Sequence, residues 1–234
     1  MLSRRRYDFI FSMGQACSCT ESLRKAGLQT FSFPFDWIGE NRLPERAEYV
    51  KNGFEGWFEK QDWQFLCDKP GHRFHVYLNR KTGFTYNHDF PLELDFEAGF
   101  PIVAAKYARR VSRLDTALKS ARRALAVFTE VPLQDDFTPD EALAEVPRTL
   151  SARYPGTVID VLYIHRGETR RPVRRTIGEH VTVLSFDYKS RKPGAMDYEV
   201  DRKLLARTIH REAGLTFRAF CAHLRANLFR KKKP

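Results

Sequence analysis

The chain has no stretch approaching the roughly 20 consecutive apolar residues that a membrane-spanning helix needs. Arg4-Arg5-Arg6 precedes an apolar run, but that run has the length of a strand and is soon interrupted by polar residues, so no secretory signal is expected. Cysteine is scarce: Cys17, Cys19, Cys67 and Cys221 are the only four, irregularly spaced. This spacing argues against a disulfide framework and for a reduced, cytoplasmic protein. Neither G-x-x-x-x-G-K-[ST] nor G-x-G-x-x-G occurs, which disfavours nucleotide-driven chemistry. Repeats and low-complexity tracts are absent apart from a lysine-rich tail.

Acidic residues are in the minority. Lys and Arg total 40 against 29 Asp and Glu, a net charge of +11 over 234 residues. Such a field favours acidic partners: small molecules carrying phosphate or carboxylate, peptides, surface glycans, or peripheral contact with anionic surfaces. The cations are dispersed. Arg109, Arg110, Arg113, Lys119, Arg122 and Arg123 fall on one predicted helix and its exit, Arg170, Arg171, Arg174 and Arg175 on a predicted loop, and Arg230 to Lys233 at the tail. This dispersal argues against sequence-specific nucleic-acid binding.

The length suits one α/β domain over residues 1–229 with a basic tail at 230–234. Residues 7–11 read as a buried strand, and the turn through Gly14 leads to a helix ending near Gly27. An aromatic-rich segment at 30–38 follows. Residues 44–66 carry aromatics at roughly helical spacing, as a packing face. Strands at 74–78 and 84–88 form a hairpin about the turn 79–83.

From Pro101 a helix aligns Val103, Tyr107, Val111, Leu114 and Leu118 on one face, before a strand at 124–131. Thr138-Pro139-Asp140-Glu141 opens the next helix, which Pro147 should kink. Strands at 157–164 and 181–187 flank a basic loop, and residues 200–229 read as helix with a break at Gly214. The alternation predicts a mainly parallel sheet with helices on both faces, a three-layer sandwich with an aromatic-rich insertion and hairpin in its N-terminal half.

In such sheets ligands bind outside the carboxyl ends of the strands, and the loop carrying Cys17 follows the first strand at such an end. Ser18 and Glu21 have the spacing of a capping box, which would put Cys17 just before a helix N-terminus. There the open N–H groups and the dipole would lower the thiol pKa. Cys17 is therefore the candidate nucleophile; its alternative role is that of a small buried hydrophobe.

The motifs Phe11-Ser12-Met13-Gly14-Gln15-Ala16-Cys17, Ser22-Leu23-Arg24-Lys25-Ala26-Gly27-Leu28 and Phe33-Pro34-Phe35-Asp36-Trp37-Ile38 occur in this order. Asn87-His88-Asp89-Phe90 and Tyr107-Ala108-Arg109-Arg110 follow them. Together they resemble a bacterial family of papain-like cysteine peptidases of unknown function, with its S-L-G-x-x-C, L-R-x-x-G-L, P-F-D-W and H-D-F elements. The resemblance runs through about residue 131 and implies that Cys17, not Cys19, is the family cysteine and His88 its base. Members of this kind often accompany surface-polysaccharide genes, so a peptide substrate does not follow from the resemblance. Met13 in place of leucine conserves volume.

A cysteine hydrolase also needs a group to orient the imidazole and donors for an oxyanion. Asp36 and Asp89 are the candidate orienters. Asp36 ranks first, because Asp89 and His88 are adjacent on a strand and should point to opposite faces. Gly14, Gln15, Ser18, Trp37, Arg109 and Arg110 are candidate substrate-binding residues. Cys67, His72 and His75, with Cys17 and Cys19, make a poor zinc set, and neither metal nor cofactor is expected. Three functions fit: a cysteine-nucleophile hydrolase, an acyltransferase or esterase that modifies a cell-surface polysaccharide with coenzyme A as acyl carrier, and a non-catalytic module binding an acidic ligand.

Overall fold

The computed structural model describes residues 5–130, 137–195 and 199–231. The first apolar run is not one strand. It divides at Asp8 into β1 (Arg5–Tyr7) and β2 (Phe9–Ser12), which join different sheets. The Asp8 carboxylate makes the junction, accepting the backbone N–H groups of Arg122 and Arg123 at 3.1 and 3.2 Å and the Thr216 hydroxyl.

There follow α1 (Cys17–Lys25), β3 (Ile38–Gly39), α2 (Leu43–Lys51), β4 (Trp63–Lys69), β5 (Phe74–Asn79), β6 (Thr85–Pro91), α3 (Phe96–Ser120) and β7 (Arg123–Thr129). The second half comprises α4 (Asp140–Arg153), β8 (Val158–Arg166), β9 (Val173–Ile177), β10 (Val181–Phe186), α5 (Arg202–Glu212), β11 (Ala213–Leu215) and α6 (Phe217–Lys231).

The main sheet has the order β2-β7-β8-β10-β9; its first four strands are parallel and the edge strand β9 is antiparallel. Strand alternation sends Ala124, Ala126, Phe128, Val161 and Val183 into one apolar cluster with residues of α3 and α4. Leu125, Val127, Leu162 and Leu184 enter a second cluster with Leu23 of α1 and Leu205 and Ile209 of α5. A further sheet, β3-β6-β5-β4, is wholly antiparallel, so the chain is a mixed α/β domain rather than mainly parallel.

Several local expectations shift. Of the aromatics of 44–66, Tyr49, Phe54, Trp57, Phe58 and Trp63 share one core while Phe65 is exposed; α2 ends at Lys51 and the chain turns through Gly53, Phe54 and Gly56 at positive φ before β4, so Phe54, Trp57 and Phe58 are gathered by turns rather than by a helix. α3 starts at Phe96, ahead of Pro101, because the Asp95 carboxylate accepts the Ala98 N–H and caps it. At α4 the cap is Pro139; the Thr138 hydroxyl turns instead to the buried Glu130. Arg174 and Arg175 stand on β9, paired with β10, and not on a loop. The break at Gly214 is itself a short strand, β11, lying parallel to β1. Residues 232–234 of the basic tail lie outside the described residues. Among the described residues no helix is long and apolar enough to cross a membrane.

Candidate functional site

Cys17 is the first residue of α1, not the residue before it. The N-cap is Ala16, extended at φ −153° and ψ 170°, and no side chain caps the helix. The expected capping box is thus absent. Ser18 lies one residue inside the helix with its buried hydroxyl unpartnered. Glu21 faces Arg202 of α5, its Oε2 2.8 Å from the guanidinium Nε.

Gly14 makes the preceding turn for a steric reason: a Cβ there would stand 2.2 Å from the Cβ of Cys19. Its N–H is taken by the Ser12 hydroxyl, and the Gln15 N–H by the Thr129 carbonyl. These two peptide groups hold the loop, and the N–H groups of Cys17 and Ser18 at the helix start favour the Cys17 thiolate.

The thiol is not acidified. Burial pushes the Cys17 pKa above the ordinary cysteine value and the Glu21 carboxylate adds to the rise, while Arg202 and the two N–H groups oppose it. The expected depression fails because the helix N-terminus acts on a sulfur largely withdrawn from water. Cys19 is fully buried, lies against the Val127 carbonyl and is pushed up to about 11, again by burial; it is a core residue.

Cys17 opens onto a cleft of about 790 Å³ between α1 and residues 190–193 and 199–203, which lie between β10 and the start of α5. Lys25, Arg191, Lys192, Arg202 and Lys203 line it, with Glu199 and Asp201 as its acids. Arg109 and Arg110 do not. Arg109 is exposed on α3. Arg110 is buried over the Tyr107 ring, 3.9 Å from Asp89.

His88 stands half-buried on β6 among the rings of Trp37, His72 and Phe74, with centroids 6.4, 6.0 and 6.0 Å away. Burial lowers its pKa, reinforced by His72 and Lys69 against the pull of Asp89, so its neutral form persists. Trp37 in turn lies beneath the Arg24 guanidinium, at 5.3 Å. Arg24 is seven residues, or about 10 Å, along α1 from Cys17. Among the described residues no hydrogen bond joins His88 to Cys17.

Asp89 points away from His88, as adjacent strand residues must, and binds Lys106 at 2.6 Å and the Tyr107 hydroxyl at 2.8 Å. Asp36 accepts from Gln29 Nε2 at 2.7 Å and the Phe33 N–H at 2.9 Å, with Arg24 at 4.0 Å. Gln29 Oε1 takes the Ser12 N–H, so this carboxylate ties the 29–37 loop to the end of β2. The suggested zinc residues separate: Cys67 is exposed, His75 bonds Asp68, and His72 lies against His88.

A family model described as "Putative papain-like cysteine peptidase" matches residues 8–166, more than half of the chain. The chain belongs to this family. An uncharacterized protein of Acanthamoeba polyphaga mimivirus is similar, 28% identical over 155 residues that cover 59% of this chain and 66% of that protein. The chain thus spans just under two thirds of that relative's length. No solved structure matches the chain.

The family match takes in β2, α1 and β6, and with them Cys17 and His88. It stops before residues 190–193 and 199–203, so the second wall of the Cys17 cleft comes from outside the matched segment. Sequence reading missed this wall. The available signal was the basic run Lys189-Ser190-Arg191-Lys192, just past the carboxyl end of a parallel strand, where ligands bind.

Proposed function

We propose that this protein is a cysteine-nucleophile hydrolase acting on an amide or ester, with Cys17 as the nucleophile and His88 as the base. The observation that supports it most is the place of Cys17. It is the first residue of an uncapped helix, beside a large cleft, where two backbone N–H groups favour its thiolate. Attack forms the S–C bond as the thiol proton passes to the base. The carbonyl oxygen becomes an oxyanion, for which the first-turn N–H groups are the donors. Collapse breaks the C–N or C–O bond, the base returns the proton to the leaving group, and water then cleaves the thioester.

Burial keeps the Cys17 thiol protonated near neutrality, so this chemistry depends on a base rather than on a standing thiolate. His88, held neutral, suits that task electronically, and in this reading substrate binding brings it within hydrogen-bond reach of the sulfur. Asp36 is then a positioning residue. It fixes the loop bearing Trp37, the ring on which His88 rests. The substrate is an acidic small molecule, peptide or surface glycan, and the site of action is cytoplasmic. The second reading, acyl transfer from an anionic thioester to a surface polysaccharide, draws on the same cleft.

The test is turnover of ester, thioester and peptide substrates by the native protein and by Cys17→Ala. Loss of all turnover in the variant supports the reading. Equal rates in both proteins, or no turnover by the native protein on any of the three classes, would overturn it.

A further inference from the structure

The two walls of the Cys17 cleft are unequal in what they leave unsatisfied. On the α1 wall the helix N-terminus has no side-chain cap and no acidic residue in its first turn. Beside it Ser18, only 8% exposed, lines the cleft with its Oγ bonded to nothing. The α5 wall differs: its N-terminal N–H groups, those of Lys203 and Leu204, are already taken by the Asp201 carboxylate.

The charges divide in the same way. Arg202 pairs with Glu21 at 2.8 Å, Arg191 with Asp187 at 3.5 Å, and Asp201 with Arg170 at 2.6 Å. Among the described residues Lys25, Lys192 and Lys203 line the cleft, exposed and with no carboxylate partner; Lys25 lies eight residues along α1 from Cys17, about 12 Å, which leaves Lys192 and Lys203 as the pair on the facing wall. The planar guanidinium forks, which match carboxylates, are therefore occupied. What is open is a pair of ammonium groups facing an uncapped helix start and an orphaned hydroxyl, a donor set that suits the tetrahedral oxygens of phosphate. Two ammoniums and about 790 Å³ fit more than one phosphate.

We infer that this cleft binds a diphosphate group, held by Ser18 Oγ and the α1 N-terminus on one side and by Lys192 and Lys203 on the other. It is the anionic handle of the molecule whose acyl bond Cys17 attacks. The inference rests on the hydrolase reading for what happens to the ligand, but not for where the ligand binds. Since Lys192 and Lys203 lie outside the family match, the handle is a specificity of this chain's own C-terminal part. The alternative source of the same negative charge, a carboxylate-rich peptide or glycan, is separated from it by experiment.

The experiment follows alkylation of Cys17 in the full chain by peptide mapping, with inorganic pyrophosphate as probe and citrate as the carboxylate control. Pyrophosphate is expected to slow carboxamidomethylation of Cys17 by about fivefold or more at low ionic strength, and added salt to relieve the effect. Citrate should do little. Lys192→Ala with Lys203→Ala should remove the protection, and Ser18→Ala should weaken it; all three positions tolerate truncation without a cavity in the core. Equal protection by citrate, no protection by pyrophosphate, or protection undiminished in the double variant would overturn the inference. Calorimetric binding of pyrophosphate to Cys17→Ala separates the two claims. If it persists while native turnover is absent, the hydrolase reading fails and the diphosphate site stands.

Discussion

Arg202 on α5 and Glu21 on α1 meet with Nε 2.8 Å from Oε2, one helical turn beyond Cys17. The pair fastens two helices that share the second apolar cluster, and it sets opposed charges beside the thiol. Glu21 raises the Cys17 pKa and Arg202 lowers it. Glu21→Gln should therefore shift the pH profile of Cys17 alkylation to lower pH, and Arg202→Gln to higher pH. Iodoacetamide rates read by mass spectrometry between about pH 6 and 10 span the ordinary thiol range. Shifts in the same direction for both variants would show that the pair acts by packing rather than by charge.

The role of His88 is decided by kinetics more than by stability. The ring is half-buried and, among the described residues, bonded to no carboxylate, so His88→Ala should change the melting temperature little. Turnover should fall by about two to four orders of magnitude, as for loss of a general base. With a lowered imidazole pKa, native kcat/KM should decline on the acid side only below the usual histidine value near 6.5. If His88→Ala keeps its rate and Glu21→Gln loses it, the carboxylate next to the thiol is the base.

Asp36 gives the protein a titration of its own. Its carboxyl is pushed up to about 6 by burial, against the opposing pull of Thr20, the Phe33 N–H, Arg24 and Arg110. An unfolded aspartate titrates near 3.9, so the folded chain holds this proton more tightly. That contribution is fully present below about pH 4 and is lost as pH rises through about 6, a change of about 3 kcal/mol. Asp36→Asn should remove it. Denaturant unfolding at steps from about pH 4 to pH 7 is the measurement, and a native-minus-variant difference that stays flat refutes the assignment.

Gly14→Ala tests the turn. The added Cβ would lie 2.2 Å from the Cβ of Cys19, itself packed against the end of β7, so neither side can yield cheaply. Overpacking of this kind costs about 1–3 kcal/mol. The expected outcome is that loss in chemical denaturation, with a changed alkylation rate at Cys17 three residues on. A variant as stable as the native chain would mean that the loop opens freely.

Periodicity made the parallel strands β7, β8 and β10 and the helices α3 to α5 legible, because a buried strand and a one-sided helix must write their burial into the sequence. The turn at Gly14 placed Cys17 at a helix start for a similarly local reason. Asp89 turning away from His88 followed from the two-residue period of a strand. Other features depended on partners distant in the chain. Asp8 divides the first strand because Arg122, Arg123 and Thr216 reach it, and β9 exists because Val181–Phe186 supplies its ladder. Likewise Cys17 has a raised pKa because burial outweighs the helix terminus, and burial is set by how α1 packs on α5. The cleft itself arises where residue 17 meets residues 190–193 and 199–203, an approach made by the folded sheet and not by any local pattern. Local sequence thus determined the elements and the place of Cys17 among them, whereas long-range packing decided its charge environment and what can reach it.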